Sequence, residues 1–373
     1  VARPLVLLVL CGLLAGCPDE PTVATPVNGD ADAVATADAA DAAAVDAVGV
    51  DTVEVNESDG NAPDLPPSDG DAAPVTPGSW ATGPEVYGGA LQEHAVVAHD
   101  GLIYCLGGFR GLQGTDEMLV FDTASETWST RASLPQAAHH VNAAVVGDTI
   151  LLLGALGDGF APFPATWRYD ITFDAWDTDV LTPMPAGEER GSSAVVAIDG
   201  VVYVAGGLAG SDAVPTVSSY DAQAATWAAL PPLPGKRDHL VGTAHDGRVY
   251  VAGGRTGGIF GVQPDVWMLD PADLGAGWQD RAPMPTARGG IAGASVDGVL
   301  YVFGGEGDSV AETGVFSEVE AYDLAADTWT SLPPMPTPVH GTGAAAWNGT
   351  IYIPGGGVVI AFGADDLMQV FSP

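Results

Sequence analysis

The chain has 373 residues, of which 50 are Gly, 29 are Pro and 47% are apolar. That balance favours many short strands joined by tight turns over a helical bundle. Eleven Lys and Arg stand against 48 Asp and Glu, a formal charge of -37, which excludes nucleic acid and anionic lipid as bulk partners.

The chain opens on VARPLVLLVLCGLLAGC, where one basic residue, Arg3, precedes an apolar run from Leu5 to Leu14 and then small residues. The run is shorter than the ~20 helical residues that cross a bilayer, and it has the layout of a signal peptide. Residues 1–16 are therefore read as a leader. Leu14–Cys17 resembles the bacterial lipobox, which implies lipidation of Cys17 and a place in the bacterial cell envelope; an ordinary secretory signal with a chance cysteine is the alternative. Residues 17–77 follow as an acidic tether rich in Ala, Asp and Pro, with no Lys or Arg after Cys17. Like charges and few large side chains give it nothing to bury, so a disordered spacer is expected. Its DAD and SDGD fragments lack the spacing of a calcium loop.

From residue 78 the chain is periodic. Trp80, Trp128, Trp176, Trp227, Trp278 and Trp329 recur at steps of 48, 48, 51, 51 and 51 residues. Each later Trp closes a unit that holds an apolar segment ending in a double glycine, such as VVYVAGG (201–207), RVYVAGG (248–254) and VLYVFGG (299–305). The second unit is degenerate, with TILLLGA (149–155). An aromatic-Asp or Leu-Asp pair precedes the Trp, and a proline stop follows it, as in LPPLP (230–234). Such a unit reads as four short antiparallel strands, with DG or NG in the first hairpin and Pro ending the last strand.

Period, double glycine, Tyr and Trp together resemble the Kelch repeat, and the resemblance recurs six times over residues 79–373. It implies an all-β, six-bladed β-propeller over 78–373. The sixth unit ends at Pro373 without a Trp strand, so SWATGP (79–84) is expected to return from the N-terminal side and close the ring.

Strand alternation puts the loops after each double glycine on the same face as the loops that lead into each innermost strand. Aligning the latter on the Asp or Asn of the first hairpin places Leu91, His139, Arg190, Arg237, Arg288 and Val339 at one position, and Gln92, His140, Gly191, Asp238, Gly289 and His340 at the next. Arg110, Arg255 and Lys236 join the same face. The expectation is a ring of Arg190, Arg237, Arg288, Arg110 and Arg255, with His139 and His340, that grips an acidic glycan or an acidic protein segment through bidentate guanidinium contacts. Pairing of these arginines with local Glu188, Glu189, Asp238 or Glu306 is the competing reading.

Resemblance to bacterial N-acetylneuraminate epimerase implies a second function, a sugar-acid mutarotase, with His139, His140, His239 or His340 and Glu188 or Glu189 as general acid and base. A purely structural module of the envelope is the third. The cysteine-linked tyrosine of galactose oxidase has no counterpart: the partner would have to be Cys105, and Tyr104 points to the opposite face of the strand. No metal or cofactor is expected, and the protein is read as a monomer tethered to a membrane.

Overall fold

The computed structural model describes residues 76–178 and 181–373. The leader, Cys17 and nearly all of the tether lie outside the described residues.

Six four-stranded antiparallel sheets follow one another along the chain. The innermost strands are Ala95–His99, Ala143–Val146, Ala194–Ile198, Val241–His245, Ala292–Val296 and Ala345–Trp347. Each pairs with a strongly apolar second strand, for example Val201–Ala205 in the third sheet, and then with a third and a fourth. Second strands are buried on both faces because each sheet is sandwiched between two others, which explains their near-continuous apolar sequences. One packed layer, for instance, joins Tyr104, Leu106 and Val120 of the first sheet to Ile150, Leu152 and Tyr169 of the second.

The ring closes as expected. Ser79–Gly83 forms the fourth strand of the sixth sheet by pairing with Ala364–Ser372, with Trp80 opposite Phe371. The Trp80 ring lies 4.9 Å from Phe371 and 5.7 Å from Phe303 of the fifth sheet. The other five repeat tryptophans add a polar tie. Trp128, Trp176, Trp227, Trp278 and Trp329 donate Nε1–H to the carbonyls of Pro84, Ala132, Thr182, Pro231 and Ala282, 44 to 47 residues upstream and so one blade back. The Asp of each aromatic-Asp pair caps the following turn: Asp122 Oδ1, for example, accepts from the amides of Ala124 and Ser125. Two 3₁₀ turns, Asp158–Phe160 and Leu274–Ala276, are the helical segments among the described residues.

The second repeat departs from the expected register. Four of the first hairpins turn on Asp-Gly and the sixth on Asn-Gly, with the Asp or Asn at positive φ, as in Asp100 (φ 44°). In the second repeat the order is inverted, and Gly147 (φ 56°), not Asp148, occupies that corner. Alignment on Asp148 is therefore one residue out, and the residue equivalent to Arg190 and Arg237 is Ala138 rather than His139.

Candidate functional site

With the register corrected, one residue per repeat stands where the chain enters each innermost strand: Glu93, His140, Ser192, His239, Gly290 and Gly341. All six have left-handed backbone conformations, with φ between 52° and 64°. Their amides form a closed circle around the axis. His140 N–H bonds to Glu93 O (2.8 Å), Ser192 to His140 (2.9 Å), His239 to Ser192 (3.0 Å), Gly290 to His239 (3.0 Å), Gly341 to Gly290 (2.9 Å) and Glu93 to Gly341 (2.5 Å). Each buried donor meets an acceptor from the next blade, so the circle fixes the mouth of the central channel. Below it, a cavity of about 480 Å³ is walled by small side chains of the inner strands, among them Ala143, Ala194, Gly242, Gly293 and Gly343.

The circle carries chemistry on part of its circumference. Glu93 Oε2 lies 3.3 Å from His140 Nε2 and 3.8 Å from His239 Nε2, and the two imidazole nitrogens are 3.1 Å apart. His239 Nδ1 meets Asp238 Oδ1 at 2.5 Å, and His140 Nδ1 meets His139 Nδ1 at 2.6 Å. His139 Nε2–H in turn donates to Gly157 O at 2.9 Å. From the sixth blade, His340 donates Nε2–H to Val359 O at 2.9 Å and places Nδ1 3.5 Å from Glu306 Oε2 and 4.0 Å from Glu93 Oε1. Burial holds His139 near pKa 4 and His140 well below the usual imidazole range, the second also because His239 and His139 stand beside it.

Arg255 spans this group. Its Nε donates to Asp238 Oδ1 at 2.8 Å, and its Nη1 donates to Glu306 Oε1. For Glu306 and Asp238, burial alone would raise the pKa; their neighbours, His340 and Arg255 for Glu306 and His239 and Arg255 for Asp238, instead hold it below the ordinary value.

The expected arginine ring does not reach the mouth. Arg190 and Arg288 are fully buried and Arg237 nearly so. Arg190 donates to the carbonyls of Gly206, Val204 and Glu188. Arg288 donates to Glu318 O and pairs with buried Glu320 at 2.8 Å. Arg237 donates to Asp265 and stacks over Trp267 at 4.7 Å. These side chains fold back between sheets onto backbone carbonyls and carboxylates. Their role as ligand-gripping groups is corrected accordingly. Arg110 is half-buried on Glu117 (2.8 Å) and on the carbonyls of Tyr87 and Gly89. Glu188 Oε2 accepts from Ser218, and Glu189 accepts from Gly187 N–H, so neither candidate acid joins the mouth. Of the expected residues, Arg255, His140, His239 and His340 do join it, and His139 backs it.

Sequence reasoning missed Glu93, whose carboxylate joins three imidazoles. Alignment on the residue that follows each double glycine would have found it, because these residues bridge in register to the loops that lead into the innermost strands: Gln92 to Phe109, His139 to Leu156, Asp238 to Arg255, and His340 to Gly357.

Comparison with known proteins agrees with this architecture. The KLHDC2/KLHL20/DRC7 Kelch-repeats domain matches residues 143–356, and the Kelch motif matches residues 91–135. The Kelch-like protein terF of Aspergillus terreus is 35% identical over 321 residues, covering 80% of this chain and 68% of that protein. Kelch-like protein 36 of Mus musculus is 28% identical over 254 residues, 66% of this chain but only 40% of that protein. Among solved structures, "Structure of YjhT" superposes with a TM-score of 0.66 over 78% of this chain and 97% of that chain, at 14% identity, a likeness of fold alone. By sequence and by fold, this chain belongs to the Kelch-repeat β-propeller family.

Proposed function

We propose that the propeller is a protein-binding module whose docking surface is the face formed by the loops after the second strands, around the Glu93–His239 mouth. Kelch propellers typically bind proteins, and one observation supports this face: Leu112, Phe260, Val310, Val359 and Phe362 all lie on these loops with 44 to 92% of their surface exposed. Large apolar side chains gathered on one face of a soluble domain mark an interaction surface. Phe362 packs edge-on against Phe109 at 5.5 Å, and Phe109 against Phe160 at 6.1 Å, which joins the rim across three blades. A second cavity of about 520 Å³ opens beside it, lined by Phe160, Leu208, Ile259, Asp238 and Arg255.

The partner's charge follows from what surrounds this rim. Asp116, Asp158, Asp212 and Glu312 are exposed on the same loops, whereas Arg255 sits between two carboxylates and Arg110 pairs with Glu117. The face therefore favours a segment with apolar anchors flanked by Lys or Arg over an acidic glycan or an acidic protein segment. A sugar-acid mutarotase draws support from His340 and Glu93 in one pit, but it would have to act without the arginine clamp. In the binding reading, lipidation at Cys17 and the acidic tether hold the module at the cell envelope, and Cys17→Ala releases the protein from the membrane fraction.

Peptide display against the immobilised full chain tests the docking face. Selected peptides should combine apolar and basic residues and bind Phe260→Asp and Phe362→Asp chains at least about tenfold more weakly, since central apolar anchors dominate such interfaces. They should bind Phe173→Asp, altered on the opposite face, as they bind the parent. Acidic peptides indifferent to both loop substitutions would overturn the reading.

A further inference from the structure

The hydrogen-bond pattern at the mouth leaves several electron pairs facing one another. A carbonyl can only accept, so His139 carries its proton on Nε2 for Gly157 O, and its Nδ1 is bare. His140 must then donate from Nδ1 to His139 Nδ1 at 2.6 Å, which leaves His140 Nε2 bare. Asp238 Oδ1 accepts a hydrogen bond from His239 Nδ1–H at 2.5 Å, so in the neutral ring His239 Nε2 is bare as well. Arg255 Nη2 does not fill that lone pair. It lies 3.0 Å from one ring nitrogen of His239 and 2.9 Å from the other, a position over the ring face rather than in line with either edge. The two bare nitrogens are thus 3.1 Å apart beside a carboxylate oxygen, three donors with no acceptor between them. Fully buried His340 adds a fourth: Nε2–H goes to Val359 O, and Nδ1 has no hydrogen-bond partner.

We propose that Glu93, His140 and His239, with His340 as the further donor, bind one divalent metal ion of the zinc class at the mouth of the channel. The donor atoms of Glu93, His140 and His239 lie within 4.8 Å of one another. Their closest separations of 3.1, 3.3 and 3.8 Å bracket the roughly 3.4 Å between ligands about 2.1 Å from a tetrahedral centre. Imidazole with carboxylate suits zinc and neighbouring first-row ions, whereas calcium and magnesium require oxygen. Each imidazole is also oriented as metal ligands are, with its other ring nitrogen donating to a fixed acceptor: Asp238 for His239, His139 for His140 and the Val359 carbonyl for His340. The rigid amide circle presets ligand positions on three blades. Neither the composition nor the motifs of the sequence carried a metal expectation, because the ligands come one each from separate repeats.

Cobalt(II) and zinc(II) titration of the chelator-treated full chain tests the site. One equivalent of cobalt should give visible absorption bands of a low-coordinate nitrogen–oxygen site, displaced by zinc. His239→Gln and Glu93→Gln should abolish the bands. Asp238→Asn, which leaves every ligand in place, should weaken binding about 10- to 100-fold. His245→Gln, outside the site, should leave binding unchanged, and circular dichroism confirms that each variant is folded. A folded parent chain that takes up no cobalt or zinc, or binding that survives His239→Gln, overturns the proposal. The first result would mean that a single proton shared by His140 and His239 fills the space.

Discussion

Replacing Gly341 by Ala should disturb the mouth in a way that can be separated from simple backbone strain. Gly341 has φ 57°, and a Cβ built there falls 2.3 Å from Glu93 Oε1 and 2.7 Å from Glu93 Cδ. The left-handed conformation costs an alanine about 1–2 kcal/mol. The nearly buried Glu93 carboxylate must also be pushed aside to relieve this contact, and overpacking of this kind costs a further ~1–2 kcal/mol. Gly349→Ala supplies the reference: φ is 77°, and nothing lies within 4 Å of the new Cβ, so only the strain term applies. Urea unfolding of the full chain should therefore show a loss of about 2–4 kcal/mol for Gly341→Ala and about 1–2 kcal/mol for Gly349→Ala. Cobalt binding should fail in the first and persist in the second. Equal destabilisation with equal cobalt binding would refute the placement of Glu93 against Gly341.

Arg288→Ala should cost about 3–5 kcal/mol in the same assay, because Glu320 is left buried without its cation; a loss below 1 kcal/mol would contradict the structural role given to that pair. Trp80→Ala should cost about 2 kcal/mol, less than the ~3–5 of a fully buried Trp, since Trp80 is half-buried and its Nε1 has no partner; no change would mean that the returning strand does not close the ring. Burial raises the pKa of Tyr104, Tyr169, Tyr220 and Tyr322, and Asp174 and Asp327 reinforce this at Tyr169 and Tyr322. A folded pKa above the unfolded value of about 10 gives stability that is complete below pH 10 and lost as pH rises. Absorbance at 295 nm should thus show these phenols ionising together with the loss of near-ultraviolet circular dichroism; ionisation near pH 10 in a chain that stays folded would contradict their burial.

The blade count and the ring closure were legible in the sequence because their signals repeat. Double glycines, aromatic-Asp pairs and tryptophans at a fixed period can come only from stacked sheets, and a Trp without a unit in front of it can only complete one that lacks its last strand. The site was less legible for two physical reasons. Gly147 and Asp148 exchange places in one hairpin, which shifts the apparent register of the loop before it and hides the equivalence of His140 with Glu93 and His239. Arginines at one repeat position also look like a ring of cations, but periodicity fixes the Cα and not the guanidinium. The long side chains of Arg190, Arg237 and Arg288 turn back to carbonyls and carboxylates between the sheets. What faces the mouth instead is Glu93, His140, His239 and His340, contributed singly by four separate blades with no local motif.

Hydrogen exchange of the full chain, free and bound to a selected apolar-basic peptide, tests the docking face most directly. Slower exchange should be confined to loops 109–116, 157–163, 255–263, 306–316 and 357–363 and to the amide circle at Glu93, His140 and His239, with the hairpin turns at 100–101, 199–200 and 348–349 unchanged. Protection that falls on those turns, or on the outer strands that carry the repeat tryptophans, would place the partner elsewhere and contradict the account.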